Sequence, residues 1–367
     1  MFGASGFRKI RNLDMGILFS CAGLLGLGML ALYSAAFQKM QATGVDYLGR
    51  QLTWIGLGVC VASVLVWIDY HRWLEWGYWL WGVTVILLCL VLVVGTVRGG
   101  AQRWLTFGGL AVQPSELAKV AIVLTLTRYL GDRRDLGGFR WGVAMAAAGW
   151  VLIPMALILM QPNLGTAWIF AVVGLGMLVA WGLPWKGLLT IAIIGMACLP
   201  IGWRFLADYQ RSRLMVFLNP NLDPLGAGYT VIQSKIALGS GYLLGKGWLS
   251  GTQNQLNFLP ERHTDFIFSV IGEEWGFLGT SVCLALFALL FLRAMRIAIQ
   301  TRDPYGRLLV VGLVILLAAH TVINTGMVMG FMPVVGLPLP FISYGGSWMM
   351  TCLVAVGMIL SVGMRRP

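Results

Sequence analysis

Five consecutive residues, Glu261, Arg262, His263, Thr264 and Asp265, set two acids, two candidate cations and a hydroxyl directly before the apolar run Phe266–Ile271. They close a Gly-rich polar stretch that starts at Gly245. Asp265 is the sharpest candidate for chemistry. A carboxylate acts as a general base when it reaches a hydroxyl proton and its pKa is raised towards the working pH. Burial would raise the pKa of Asp265 and Arg262 beside it would lower it, and the sequence leaves that balance open. An aspartate at a helix start can equally be a cap or a partner for the helix dipole. Glu261 shares a face with Asp265 if the turn is helical. Glu273 and Glu274 follow on the same predicted helix, about 12 and 13.5 Å deeper at 1.5 Å per residue. The two carboxyls of a glycosidase stand about 5–9.5 Å apart, so these two glutamates read as structural.

Other candidates are spread along the chain. Glu116 and Lys119, in QPSELAK, lie three residues apart on one helix face. They suit either an ion pair that locks helices or the wall of a polar cavity, and an intramembrane charge usually faces an interior or a wet cavity. Arg98, Arg103, Arg211, Arg213, Lys235, Lys246 and Arg262 form a further set of cations. Singly, each suits contact with lipid phosphates. Around one cavity they suit a diphosphate, for which the planar fork of Arg is apt. The histidines, His71, His263 and His320, are scattered, and the six cysteines fall inside apolar runs with no CxxC pair, so neither a metal centre nor a disulfide frame is indicated.

The elements that must position these groups are membrane helices. The 367 residues are 58% hydrophobic and only 11% charged, less than half the charged share of a soluble domain, about 25%. Apolar runs of about 20 residues predict an all-α polytopic membrane protein, not a barrel. Ten spans are expected, near 15–36, 51–68, 76–95, 113–130, 142–160, 164–182, 187–203, 266–292, 308–331 and 345–363. The first run is too long for the core of a cleaved signal peptide and reads as a retained signal-anchor. Cations such as Arg8, Lys9, Arg11, Arg133, Arg134, Arg293, Arg296, Arg365 and Arg366 fall on one side of this arrangement, which places both termini in the cytoplasm. The loop 204–265 then faces outward. Its segments 204–218 and 228–238 suit short amphipathic helices at the interface. The chain forms a single membrane domain, 1–367. Segment 332–346, MPVVGLPLPFISYGG, has too many prolines and glycines for a regular helix and predicts a cavity lining on the outer side. The net charge of +12 reports topology, and nucleic acid is not an expected partner.

LPERHTDFIFSVIGEEWG (259–276), QPSELAK (113–119), QPNLGT (161–166), DPLGAGYTVIQSKIALGSG (223–241) and PLPFISYGGS (338–347) together resemble the SEDS family, the bacterial shape, elongation, division and sporulation proteins. The resemblance covers about 15–363. Arg262 within LPERHTD, with GKGWLSGTQNQLNFLP, is closer to the elongation (RodA) branch than to the division (FtsW) branch. It implies a peptidoglycan glycosyltransferase of the bacterial cytoplasmic (inner) membrane that polymerises lipid II onto a growing lipid-linked glycan. It also implies a class B penicillin-binding protein as transpeptidase partner, beside other elongation-complex proteins. Asp265 matches the family's outer-loop aspartate, and Glu116 and Lys119 match its polar pair. The substrate-binding set it implies is Arg103, Glu116, Lys119, Gln161, Asn163, Arg211, Lys235, Glu261, Arg262 and Ser343. Asn163 departs from the family's usual Asp in QPDxGT, so a carboxylate is not required there in this chain. The α-linked donor diphosphate and the β-1,4 product imply inversion by direct displacement. That chemistry needs one base, Asp265, and cations or a divalent ion (Mg or Mn) to stabilise the leaving diphosphate. Two rival classes are a lipid II flippase and a non-catalytic scaffold of the cell-wall complex. A flippase needs a polar path through both leaflets, whereas here the ionisable residues gather on the outer half and spans 76–95 and 164–182 carry none.

Overall fold

A computed structural model describes residues 12–98, 101–107, 110–133, 139–224 and 226–366. Arg8, Lys9, Arg11 and Arg134 lie outside the described residues, as does the side chain of Arg98. A helix occupies each of the ten expected spans: α1 (Met15–Thr43), α2 (Tyr47–Trp67), α4 (Gly77–Val94), α5 (Pro114–Gly131), α6 (Trp141–Met160), α7 (Leu164–Trp181), α8 (Trp185–Phe205), α12 (Ile267–Gln300), α13 (Pro304–Met329) and α14 (Gly346–Met364). The short α3 (Tyr70–Glu75) follows α2. Aspartates start several of them. Asp14, Asp46, Asp69 and Asp303 each accept a backbone N–H from the first turn they precede.

Among the described residues, eight of these helices are long and apolar enough to cross a bilayer. The other two differ for separate reasons. In α8 the apolar stretch is the shorter Trp185–Cys198. In α5 the run is interrupted by Glu116, Lys119, Thr125 and Thr127, all buried. A helix enclosed by protein need not be apolar on every side, because its polar groups find partners inside. The interior is built from α5, α13 and α14, whereas α2, α4 and α8 turn much of their surface outward.

One element departs from the all-helical expectation. Between α4 and α5 the chain forms an antiparallel three-stranded sheet, β1 (Thr96–Arg98), β2 (Ala101–Phe107) and β3 (Leu110–Val112), in that order. Thr96 pairs with Trp104, and Leu105 with Val112. The sequence signal was the pairs Gly99-Gly100 and Gly108-Gly109 around a β-prone run, masked by the hydrophobicity of the flanking helices.

The two ends of the described chain share one face. Asp14 pairs with Arg293 at 2.9 Å, and Arg366 donates to Gln300 Oε1 at 2.7 Å, both near the far end of α12. The unbroken part of α12 beyond Gly276, residues 277–300, alone spans about 36 Å, and Asp265 lies beyond its other end, on the opposite face. That opposite face carries α9 (Asp208–Leu218), a 3-10 turn (Pro220–Leu222), α10 (Ala227–Ser240) and α11 (Thr252–Gln255).

The long α12 is broken at Gly276, where φ is 62° and ψ −154°. The carbonyls of Glu273 and Glu274 accept instead from Lys246 and Gly247, each at 3.0 Å. The N–H groups of Phe277 and Leu278 donate to Tyr242 and Leu243, at 2.8 and 3.1 Å. The loop backbone thus replaces the missing turn, the condition under which irregular backbone is tolerated at membrane depth. Only glycine fits at Gly276, since a Cβ there would sit 2.4 Å from the Gly245 nitrogen.

Candidate active site

Asp265 is the next-to-last residue of the turn 261–266, in which the Glu261 carbonyl accepts from the N–H groups of Thr264, Asp265 and Phe266. Three successive carbonyls of this turn are held from outside it. Tyr344 N–H donates to His263 O at 2.9 Å, Ser343 Oγ to Thr264 O at 2.6 Å, and Asn324 Nδ2 to Asp265 O at 2.9 Å. The clamps come from α13 and from the Pro/Gly-rich segment before α14. Ser343 Oγ also accepts from Leu339 N–H at 2.8 Å, and Gln51 of α2 donates to Ser343 O at 3.2 Å. That segment borders Asp265 and reaches two further polar side chains. A Cβ on Gly336 would meet Asp265 Oδ2 at 3.4 Å, Arg213 donates to Val334 O at 3.1 Å, and His320 Nδ1 lies 3.3 Å from Pro338 O.

The carboxylate of Asp265 is half-buried, and no hydrogen bond to it is made among the described residues. Crowding by protein raises its pKa from 3.8 to about 6, helped by the negative charge of Glu261 and opposed by Arg213 and Arg103. Its cations therefore come from β2 and α9, not from the adjacent Arg262. The Arg262 guanidinium is buried and turned to α1, donating to Ala35 O and Asn254 O at 2.7 Å each. His263 is the other expected cation. Burial first, then Lys39 and Arg262, push its pKa below 6.5 against the pull of Glu261, so it is neutral at pH 7. Arg103 is held in place by the turn between α6 and α7, with Nε on Gln161 O at 3.1 Å and Nη2 on Pro162 O.

Glu116 and Lys119 form a buried ion pair at 2.8 Å near the start of α5. Lys119 Nζ is also 3.0 Å from His320 Nε2 and 4.3 Å from the centre of the Trp348 ring, on which His320 stacks. The Pro338 carbonyl can only accept, so Nδ1 of His320 carries the proton and Nε2 accepts from Lys119. The pair is thereby tied through His320 to the same segment that borders Asp265.

Gln161 is buried and donates to Leu88 O at 3.0 Å. Asn163 is the N-cap of α7, its Oδ1 accepting from Thr166 N–H at 3.2 Å. Arg211 folds back on the end of α8, onto Trp203 O and Arg204 O. Lys235 is exposed on α10, its stem against Gly330. Glu261 is exposed and accepts from Thr264 Oγ1 at 3.2 Å. The structure thus gathers Asp265, Glu261, Arg103, Arg213 and Ser343 at one place and joins Glu116 and Lys119 to it indirectly. Arg211 and Arg262 bond elsewhere. Asn324 and Trp348 escaped the sequence reading, and His320 stood in it only as one of three scattered histidines. The available signal was His320 and Asn324 four residues apart in an apolar helix, polar groups on one face of a span.

Fold and site together define a multi-pass helical membrane protein with one lightly partnered carboxylate among cations on the face opposite its termini. The family profile described as "Cell cycle protein", that of FtsW, RodA and SpoVE, matches residues 15–366, and the chain belongs to that family. It is 40% identical to the peptidoglycan glycosyltransferase MrdB of Escherichia coli K12 over 359 residues, 97% of this chain and 94% of that one. Its fold is similar to a chain solved in a study of polymerisation and crosslinking by a peptidoglycan synthase complex, with TM-score 0.81 and 34% identity over 96% of this chain and 97% of that one. The rod shape determining protein RodA of Thermus thermophilus is similar at TM-score 0.71 and 31% identity, over 96% and 97% of the two chains.

Proposed function

We propose that this chain is a peptidoglycan glycosyltransferase of the elongation type, which polymerises lipid II with Asp265 as the general base. The observation that carries the catalytic role is the Asp265 carboxylate, with its pKa raised to about 6 and the guanidiniums of Arg103 and Arg213 acting on it. Asp265 accepts the proton of the acceptor sugar's 4-hydroxyl. The oxygen so released attacks the anomeric carbon of the donor from the face opposite the diphosphate. The bond to diphosphate breaks with its electron pair going to the leaving group, and the α-linked donor becomes a β-1,4 product. Arg103 and Arg213 neutralise the departing undecaprenyl diphosphate.

The exposed ammonium of Lys235 reaches for lipid phosphate, and Glu261 tunes the base. Glu116, Lys119, Gln161, Asn163, Arg211, Arg262 and Ser343 serve the substrate by fixing the walls around it. Among the described residues no three His, Cys, Asp or Glu side chains converge; a divalent ion (Mg or Mn) would be held by one or two carboxylates such as Asp265 together with the substrate diphosphate, whose charge it would help neutralise. The site faces outward from the bacterial cytoplasmic membrane, with both termini inside, where lipid-linked substrate and a class B penicillin-binding protein can meet it.

The test is polymerisation of lipid II by the purified chain in complex with that transpeptidase, in the presence of moenomycin. The Asp265→Asn protein is expected to fold and to lose turnover by about 10²–10⁴-fold, the typical worth of a general base. Wild-type turnover from this variant would overturn the assignment.

A further inference from the structure

We infer that Asn324 is a positioning residue for the reaction, setting the aim of Asp265 through a single side-chain amide; the inference rests on the general-base reading above. Asn324 is fully buried on α13. Its Nδ2 donates to two carbonyls from different segments, Asp265 O at 2.9 Å and Leu337 O at 2.7 Å. Both neighbours are backbone carbonyls, which only accept, so the amide nitrogen must point at them. Leu337 follows Gly336, where a Cβ would meet Asp265 Oδ2 at 3.4 Å. One amide therefore fixes both the backbone that carries the carboxylate and the wall that the carboxylate faces.

The other two clamps do less. Tyr344 and Ser343 hold the carbonyls of His263 and Thr264, one or two residues short of Asp265, and both belong to the segment itself. Asn324 belongs to α13, whose neighbouring turn carries His320 and through it Lys119 and Glu116. It thus refers the position of the base to the rigid interior of the bundle. The carboxylate itself has no hydrogen-bond partner among the described residues to correct an error in its backbone. A displacement of about 1 Å can cost a reaction of this kind about 10²-fold.

The experiment compares Asn324→Leu, which keeps the volume and removes both donors, with Asn324→Ser, which keeps one short donor. Each is purified as the full chain with its transpeptidase partner and assayed on lipid II at several pH values, with the folded fraction measured alongside. The expected result is a fall in kcat of ~10- to 100-fold for Asn324→Leu and a smaller fall for Asn324→Ser. KM stays within about twofold and the acid limb of the pH–rate profile moves, which mere loss of folded protein would not produce. If Asn324→Leu does not fold, Asn324→Ser decides. Unchanged kcat per folded molecule and an unchanged profile overturn the inference. Asp265→Asn is run beside them. Its inactivity with unaltered Asn324 variants sinks this inference alone, whereas its full activity sinks the general-base reading as well.

Discussion

Asp265 and Glu273 stand eight residues apart, one before and one within α12, and they are opposites. Glu273 is completely buried, yet its carboxylate accepts from Lys246 Nζ at 2.8 Å, Thr252 Oγ1 at 3.2 Å, and the N–H groups of Gln253 and Asn254 at 2.9 and 3.1 Å. Glu274 beside it accepts from Ser34 and Asn254. Asp265 is partly open and receives nothing from the described side chains, although its backbone is held on every side. In one place the carboxylate is what is held, and it holds the loop 246–254. In the other the backbone is held and the carboxylate is left available. A buried charge with four donors serves architecture, since any reaction at it would first have to break those bonds. A raised, lightly partnered carboxylate on a fixed backbone suits proton transfer.

Exchanging each acid for its amide tests this contrast most severely. Asp265→Asn should abolish most turnover and leave thermal stability nearly unchanged. Glu273→Gln should do the reverse. It leaves Lys246 without its counter-charge and weakens the bonds from Gln253 and Asn254, at a cost of about 2–4 kcal/mol. The melting temperature of the detergent-solubilised protein should fall, while turnover per folded molecule holds. A Glu273→Gln protein of normal stability and low turnover would erase the distinction between the two regions.

The helical architecture and the place of the charged turn 261–265 at the start of a helix were legible because both are written locally. Apolar runs of membrane length announce themselves, and a dense set of charges at the end of one stands out. The contacts of those charges were not legible. Arg262 adjoins Asp265 in sequence, but its direction is decided by the carbonyl of Ala35, far away on α1, so the expected neighbour of the base bonds elsewhere. Arg213 and Arg103 come to Asp265 only through the folding of α9 and of the sheet. Asn324 looks like any polar residue in a span until α13 packs beside the segment 332–345. The sheet itself was hidden because its strands are short and lie between two long apolar helices.

A smaller effect separates the electrostatics of the two regions. The pKa of Asp265 is raised, so turnover should climb as pH rises through about 6 and then level off. Glu261→Gln removes the negative charge that helps raise it, and the midpoint should move down. Arg213→Gln removes a cation that opposes the rise, and the midpoint should move up. The sign for stability is the opposite of the usual carboxylate case. The folded chain binds this proton more tightly than the unfolded one, so the group's contribution is fully present below its ordinary pKa of 3.8 and is lost as pH rises through about 6. A pH–rate profile whose acid limb stays put in both variants would show that another group sets it.

The mildest expected change concerns Asn163, which stands where relatives with the QPDxGT pattern carry an acid. Its Oδ1 caps α7 through Thr166 N–H at 3.2 Å, and an aspartate can accept the same bond. Asn163→Asp should therefore keep the cap, and because the position is buried the favourable charge at the helix N-terminus is offset by the cost of burying a carboxylate, leaving stability little changed and turnover within about twofold of wild type. Asn163→Ala should lose the cap, at about 1 kcal/mol, and lower turnover only as far as the turn at Gln161 and Pro162, which seats Arg103, loosens. Thermal melting and turnover measured on both variants divide the possibilities. Two stable variants with equal turnover leave Asn163 a cap, on the side of Glu273. A gain of turnover in Asn163→Asp alone would mean that a second carboxylate assists Asp265, and the single-base description would have to be widened to include this position.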